Sequence, residues 1–177
     1  MKNIILIIAL SIISATTCKA QIAYTSDLVK VNLPNGTFKL NKQQVDAISN
    51  VKSVNKIVKV YPHNLYKKDN ILLGFNNVNQ DSINNNLPGV KKFIDQLYLS
   101  SESKPNRTYE SMIKNTYNNN HALIVRYDIK NTGHIRFYCQ NASKTLILSG
   151  KIEYSKLDSA KANSLLEEVL KNIRFTK

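Results

Sequence analysis

His63, His121 and His134 are the side chains best suited to hold a metal or move a proton near neutral pH. Their spacing makes neither an H-x-x-x-H nor an H-E-x-x-H pattern. His121 and His134 bracket two apolar stretches, HALIVRYDI and HIRFYCQ. Facing one another across a hairpin is the geometry that would bring them together. A zinc site needs further ligands, and no Asp, Glu or Cys is placed to supply them. The expectation is no metal and no cofactor. Cys139 lies in an apolar run with no base beside it, so it reads as a buried small hydrophobe and not as a nucleophile. No G-x-S-x-G occurs, and five glycines in 177 residues leave no phosphate-cradling loop. Glu167 and Glu168 fall on the outward side of an expected helix, where charge serves solvation. A non-enzyme is expected, with a hydrolase of unidentified type as an alternative.

What remains is tyrosine beside basic residues. Tyr61, Tyr66, Lys67 and Lys68 surround one strand and turn. Arg107, Tyr109, Lys114 and Tyr117 follow a polar stretch. Tyrosine and arginine are enriched among interface anchors, so these eight residues are the candidate partner contacts. The competing reading is that tyrosines in β-rich segments are half-buried packing residues.

The chain carries a formal charge of +13. Its first twenty residues, MKNIILIIALSIISATTCKA, have a basic start, an apolar run from Ile4 to Ile13, and small residues before Gln21. The run is shorter than the roughly 20 residues a membrane-spanning helix needs, and the pattern is that of a secretory signal peptide cleaved between Ala20 and Gln21. The alternative is a lipoprotein acylated on Cys18, although Ala15, Thr16 and Thr17 suit that less well. Removing residues 1–20 takes away Lys2 and Lys19, leaving 157 residues and a charge of +11. That length makes a single domain over 21–177 with enough core to fold without staples. Cys139 would be its lone cysteine, so no intramolecular disulfide holds it. A basic exported domain without a transmembrane span points to an acidic protein or acidic envelope component as partner, and away from nucleic acid. Evenly spread lysines that only solvate the surface are the plainer reading of the same charge.

The elements that must position these residues are partly legible. Residues 27–34 alternate as a short strand ending at Pro34, with Asn35-Gly36 as a turn. Asn41 and Gln44 form a capping box opening a helix over 42–50. Residues 51–62 favour a strand. A turn over 67–70 precedes a strand from Ile71 to Phe75. Residues 76–86 are loop-like. Pro88-Gly89 opens a helix whose Val90, Phe93, Ile94, Leu97 and Tyr98 repeat at helical spacing. Residues 100–106 read as a mobile loop and 107–117 as a strand. The clearest region is a meander: 121–129, a turn at Asn131-Thr132-Gly133, 134–140, a turn at Asn141–Ser143, then 144–154 with a kink at Gly150. Asp158 caps a final helix whose apolar stripe is Ala162, Leu165, Leu166, Val169, Leu170 and Ile173. Such a stripe must be buried against the sheet. The class is α+β: an antiparallel sheet with a C-terminal three-strand meander, covered by amphipathic helices.

Three stretches, "VKVNLPNGTFKL", "ALIVRYDI … HIRFYCQ … TLILSGKIEY" and "DSAKANSLLEEVLKNIRF", resemble in pattern the PsbP/Mog1-like α/β sandwiches, many of whose bacterial members are small exported proteins. The resemblance implies a central antiparallel sheet with helices on both faces, and a role in binding or organising partners without a shared catalytic site. It carries no diagnostic motif and assigns no residue. The function expected is therefore an exported, non-enzymatic binding module for an acidic partner, foremost a protein, with neutralisation of a periplasmic toxin as one form. An envelope-assembly or PsbP-like accessory factor is the alternative.

Overall fold

The meander forms because three successive segments alternate inward and outward side chains and are separated by short polar turns. The computed structural model describes residues 21–50, 64–79, 86–99 and 108–176. Residues 1–20, the strand expected over 51–62 and the loop expected over 100–106 lie outside them. In chain order the strands are β1 (Ala23–Ser26), β2 (Val29–Asn32), β3 (Phe38–Lys39), β4 (Leu65–Lys68), β5 (Ile71–Phe75), β6 (Tyr109–Asn115), β7 (His121–Ile129), β8 (Thr132–Gln140), β9 (Ile147–Ser155) and β10 (Ile173–Phe175). The helices are α1 (Lys42–Asn50), α2 (Leu87–Leu99) and α3 (Ser159–Asn172). A seven-stranded sheet runs β3-β4-β5-β9-β8-β7-β6, and a three-stranded sheet runs β1-β2-β10. Every pairing between these strands is antiparallel. The α+β class expected from the sequence is the one observed.

Alternation gives the large sheet two different faces. On one, Ile71, Leu73, Phe75, Ala122, Ile124, Ile135, Phe137, Cys139, Leu148 and Ile152 meet the α3 stripe and the inner side of the small sheet, Tyr24, Val29, Val31 and Ile173, in one core. On the other, two smaller clusters are separate. Leu65 and Leu72 pack with Leu40 and Val45 at α1, and Leu123, Val125 and Tyr127 pack with Leu87 and Ile94 of α2.

Local signals explain most of the elements. The capping box is formed: the Asn41 amide donates to Gln44 Oε1 and the Gln44 amide to Asn41 Oδ1, both at 2.9 Å. The α3 stripe is buried as expected from Ala162 to Leu170. Three details differ. The β7–β8 turn is Lys130-Asn131, with Lys130 at φ +55°, while Thr132 and Gly133 are already paired in β8. Gly133 is there for space, since a Cβ would stand 2.4 Å from the Tyr154 ring. Gly150 is a close approach within β9: its Cβ would stand 2.3 Å from Phe137 Cζ and 2.7 Å from the Gly74 carbonyl oxygen. Asp158 holds the N-cap position of α3 without a capping hydrogen bond; its carboxylate lies 3.7 Å from Lys161 Nζ. Finally, α3 stops at Asn172, and Ile173–Phe175 becomes a strand on β2.

Glu167 and Glu168 do more than face water. Glu168 pairs with Lys68 of β4 at 3.8 Å, and Glu167 with Lys114 of β6. Successive helical residues are about 100° apart, so the two carboxylates reach opposite flanks of the sheet. Exposed pairs contribute little energy; the buried stripe is what holds the helix on the sheet.

Leu166→Ala should lower the unfolding free energy by about 2–5 kcal/mol, read by urea denaturation, and Leu166→Asp should abolish the cooperative transition. Gly150→Ala should cost about 1–3 kcal/mol through overpacking. An alanine variant as stable as the parent would contradict the close approach of Phe137 and Gly74.

Candidate functional site

The candidate contact residues separate in space. Tyr61 and Arg107 lie outside the described residues, as does His63. Tyr66 is in the core, edge-on to Phe75, and burial pushes its hydroxyl up to about 12. Lys68 and Lys114 flank α3 in the ion pairs above, while Lys67 and Tyr109 sit on the other face. Tyr117, in a short 3-10 turn between β6 and β7, is 45% exposed. No single surface gathers the six that are described.

The histidine pair does not form. Register places His121 opposite Gln140 and His134 opposite Tyr127. His121 Nδ1 lies 2.8 Å from Asn115 Oδ1. Among the described residues no group of three His, Cys, Asp or Glu side chains is placed to hold a metal ion. Cys139 is wholly buried, and burial pushes its thiol up to about 12, so it stays neutral at physiological pH.

A polar belt crosses the α1/α2 face instead. Register lines up Tyr109, Tyr127, His134, Glu153 and Leu72 in one row, with Arg136 opposite Lys151 in the next. At its α2 end, Asp95 accepts hydrogen bonds from Tyr109 Oη at 2.5 Å, Ser111 Oγ at 2.6 Å and Lys91 Nζ at 2.6 Å. Those bonds, Lys91 foremost, hold its carboxyl down to about 2. Burial, with Asp95 adding to it, pushes the Tyr109 hydroxyl up to about 12. Tyr98 stacks on Tyr109 at 4.7 Å, and Tyr127 stacks on His134 at 4.9 Å. The Arg136 guanidinium lies 5.7 Å from the Tyr127 ring centroid, within cation–π range.

In the middle of the belt are three buried ionisable side chains. Lys151 is 4% exposed, His134 4% and Glu153 7%. Lys151 Nζ donates to Glu153 Oε2 at 3.2 Å. His134 Nδ1 stands 3.4 Å from the same oxygen but outside hydrogen-bond geometry, and it has no partner. Burial alone would push the Glu153 carboxyl up; His134 and Lys151 outweigh it and hold the carboxyl below its ordinary range. Buried charges of this kind persist where they are paired.

The second unusual region is basic and exposed, where the small sheet meets the end of α3. Lys30 of β2 is directly opposite Arg174 of β10 on the outer side of that sheet. Like charges opposed across a strand pair are unfavourable, and neither has a carboxylate within ion-pair distance among the described residues. Arg174 Nη1 donates to the Lys171 carbonyl at 2.6 Å, which places Lys171 beside them. Asn118 Nδ2 donates to the Ile173 carbonyl at 3.1 Å and the Lys171 carbonyl at 3.4 Å, tying the turn that carries Tyr117 to the same corner. Of the sequence candidates only Tyr117 falls here. The signal for the rest was the tail Ile173-Arg174-Phe175, whose in-out-in alternation is that of a strand, and reading it as helix hid Arg174.

No protein-family model matches the chain, and no curated protein matches it. Among solved structures it is similar to the solution structure of cyanobacterial PsbP (CyanoP) from Synechocystis sp. PCC 6803. The similarity covers 87% of this chain and 91% of that one, at 10% sequence identity and a TM-score of 0.49. That protein is of the kind the three sequence stretches resemble. The likeness is one of outline, and no functional residue is taken from it.

Asp95 gives a pH dependence with a definite sign. Its folded value lies below the ordinary carboxylate value of about 3.9, so its stabilisation is complete above that value and is lost as the pH falls towards 2. Urea midpoints of the parent and Asp95→Asn should differ most above about pH 5 and converge towards about pH 2. A constant gap across that range would show that the carboxylate charge is not what anchors α2.

Proposed function

We propose that this protein is an exported, non-enzymatic binding module that engages an acidic protein surface through the corner formed by Lys30, Lys171, Arg174 and Tyr117. The juxtaposition of Lys30 and Arg174 carries the reading. Two cations opposed across a strand pair weaken the fold slightly, and an anionic partner would relieve that repulsion. Tyr117 adds an exposed aromatic side chain beside them, the combination of residue types enriched at interface anchors. The excess of basic residues over the whole chain would steer acidic partners towards it. Among the described residues no helix is long and apolar enough to cross a membrane.

Retention on an immobilised polyglutamate matrix tests this, with salt as the variable. The parent should bind at low salt and elute as ionic strength shortens the Debye length below about 10 Å. Changing Lys30, Lys171 and Arg174 together to glutamate should weaken binding at least about tenfold, or 1.4 kcal/mol. A control with Lys39, Lys42 and Lys92 changed to glutamate has the same net charge and should keep most of it. Equal loss in both variants would mean that only overall charge matters and would refute the corner as the site.

A further inference from the structure

At the end of β7 remote from Tyr117, a cavity of about 240 Å³ is lined by Asn70, Leu72, Asn131, Thr132, Glu153 and Ser155, with Tyr154 beside them. Two hairpin turns make its rim: Asn70 follows Asp69 in the β4–β5 turn, and Asn131 follows Lys130 in the β7–β8 turn. Thr132 and Ser155 are cross-strand partners at the ends of β8 and β9, and Leu72 is the partner of Glu153. We infer that this cavity binds a small, uncharged, hydroxyl-rich molecule of monosaccharide size, with the Glu153 carboxylate as its main hydrogen-bond acceptor.

Three observations carry the inference. First, the cavity is built around a buried ion. Glu153 is 7% exposed, and its contacts with Lys151 and His134 both fall on Oε2. Oε1 is left without a hydrogen bond from any described residue. A hydroxyl donating to an ionised carboxylate makes one of the stronger neutral-to-charged hydrogen bonds.

Second, the side chains of Asn70, Asn131, Thr132 and Ser155 make no hydrogen bond to any described residue. The β8–β9 loop shows what this sequence does with similar groups when they are structural. There Asn141 Nδ2 donates to Ser143 Oγ at 2.9 Å and to Thr145 Oγ1 at 3.0 Å, and Asn141 Oδ1 accepts from the Thr145 and Leu146 amides at 2.9 and 3.0 Å. The cavity's carboxamides and hydroxyls are instead free to donate and accept, which suits a ligand whose hydroxyls do both.

Third, the ion in the lining is already compensated. Glu153 is the one charged side chain among the lining residues, and it is paired with Lys151. Beyond the lining, Asp128 is paired with Lys156 at 3.2 Å, and Lys67 stands opposite Leu72. An ammonium or a carboxylate ligand therefore finds no unpaired counter-ion in the lining itself. The volume also limits size, since sites for drug-sized ligands run to about 300–1,000 Å³.

The experiment is a titration of isotope-labelled protein, purified as exported by an expression host, with D-glucose, D-galactose and N-acetyl-D-glucosamine, followed by amide chemical shifts. At least one sugar should move the Asn70, Asn131, Thr132 and Ser155 amides saturably. Glu153→Gln should weaken that binding at least tenfold. Because this change also strips Lys151 of its buried partner, Asn131→Ala and Ser155→Ala serve as rim variants that spare the core. Each should weaken binding several-fold with an unchanged melting temperature. Absence of saturable shifts with all three sugars would overturn the inference, and so would rim variants that bind like the parent. Ethylammonium and acetate are run in parallel, and saturable binding of either at these amides would overturn the uncharged class. The nine residues of β7 separate this cavity from Tyr117 by about 30 Å, so its failure and that of the basic corner are read independently.

Discussion

The Phe137 ring occupies the space over Gly150 that any larger residue would fill, and much of the molecule is arranged around that contact. Without a Cβ at Gly150, β5 and β9 approach closely enough to join β3, β4 and β5 to the C-terminal meander. Phe137 then meets Phe75 edge-on at 6.0 Å, and Phe75 stacks on Tyr24 of β1 at 4.8 Å. The aromatic series thus runs from the middle of the large sheet into the small one. Because the small sheet is seated by that contact and by α3, the outer row bearing Lys30 and Arg174 is held in a fixed place and direction. The basic corner is a surface consequence of a core packing requirement.

The opposite face follows a different logic. A continuous apolar layer there would need one helix across the whole sheet, as α3 provides on the other side. Instead α1 and α2 cover separate ends, and the strands between them carry His134, Arg136, Lys151 and Glu153. Taking such groups out of water is costly unless each finds a partner. Lys151 pairs with Glu153 through Oε2, Arg136 has the Tyr127 ring, and His134 Nδ1 is left without a bond. The face therefore combines two small hydrophobic clusters with a polar belt, and the cavity opens where that belt reaches the turn end of the sheet.

What the sequence revealed depended on how local the determining forces were. The capping box at Asn41 and Gln44, the α3 stripe and the alternation in β7, β8 and β9 each rest on neighbours a few residues away, and each formed as expected. The β1 strand and the fate of Ile173–Phe175 were not legible, because both are decided by pairing with β2 from opposite ends of the chain. Tyr66 illustrates the same limit at the level of a site. Its neighbours Lys67 and Lys68 suggested a surface, whereas the Phe75 side of the core claims it. The histidine pair failed on position along the hairpin: His121 opens β7 at the end far from the turn, opposite Gln140, whereas His134 lies beside the turn, opposite Tyr127.

The β1-β2-β10 sheet also imposes an order of events. β2 is among the first elements of the described chain, yet one of its two partners is the last. During vectorial synthesis, or passage through any pore, the β1–β2 hairpin emerges with one edge unpaired and its Tyr24, Val29 and Val31 side uncovered. It stays so until residues 173–175 are free. Pairings of such long sequence separation are slow to close. The small sheet therefore stays incomplete until the last described strand is free, so nascent-chain partners that shield an open strand edge would meet it at the β1–β2 hairpin first.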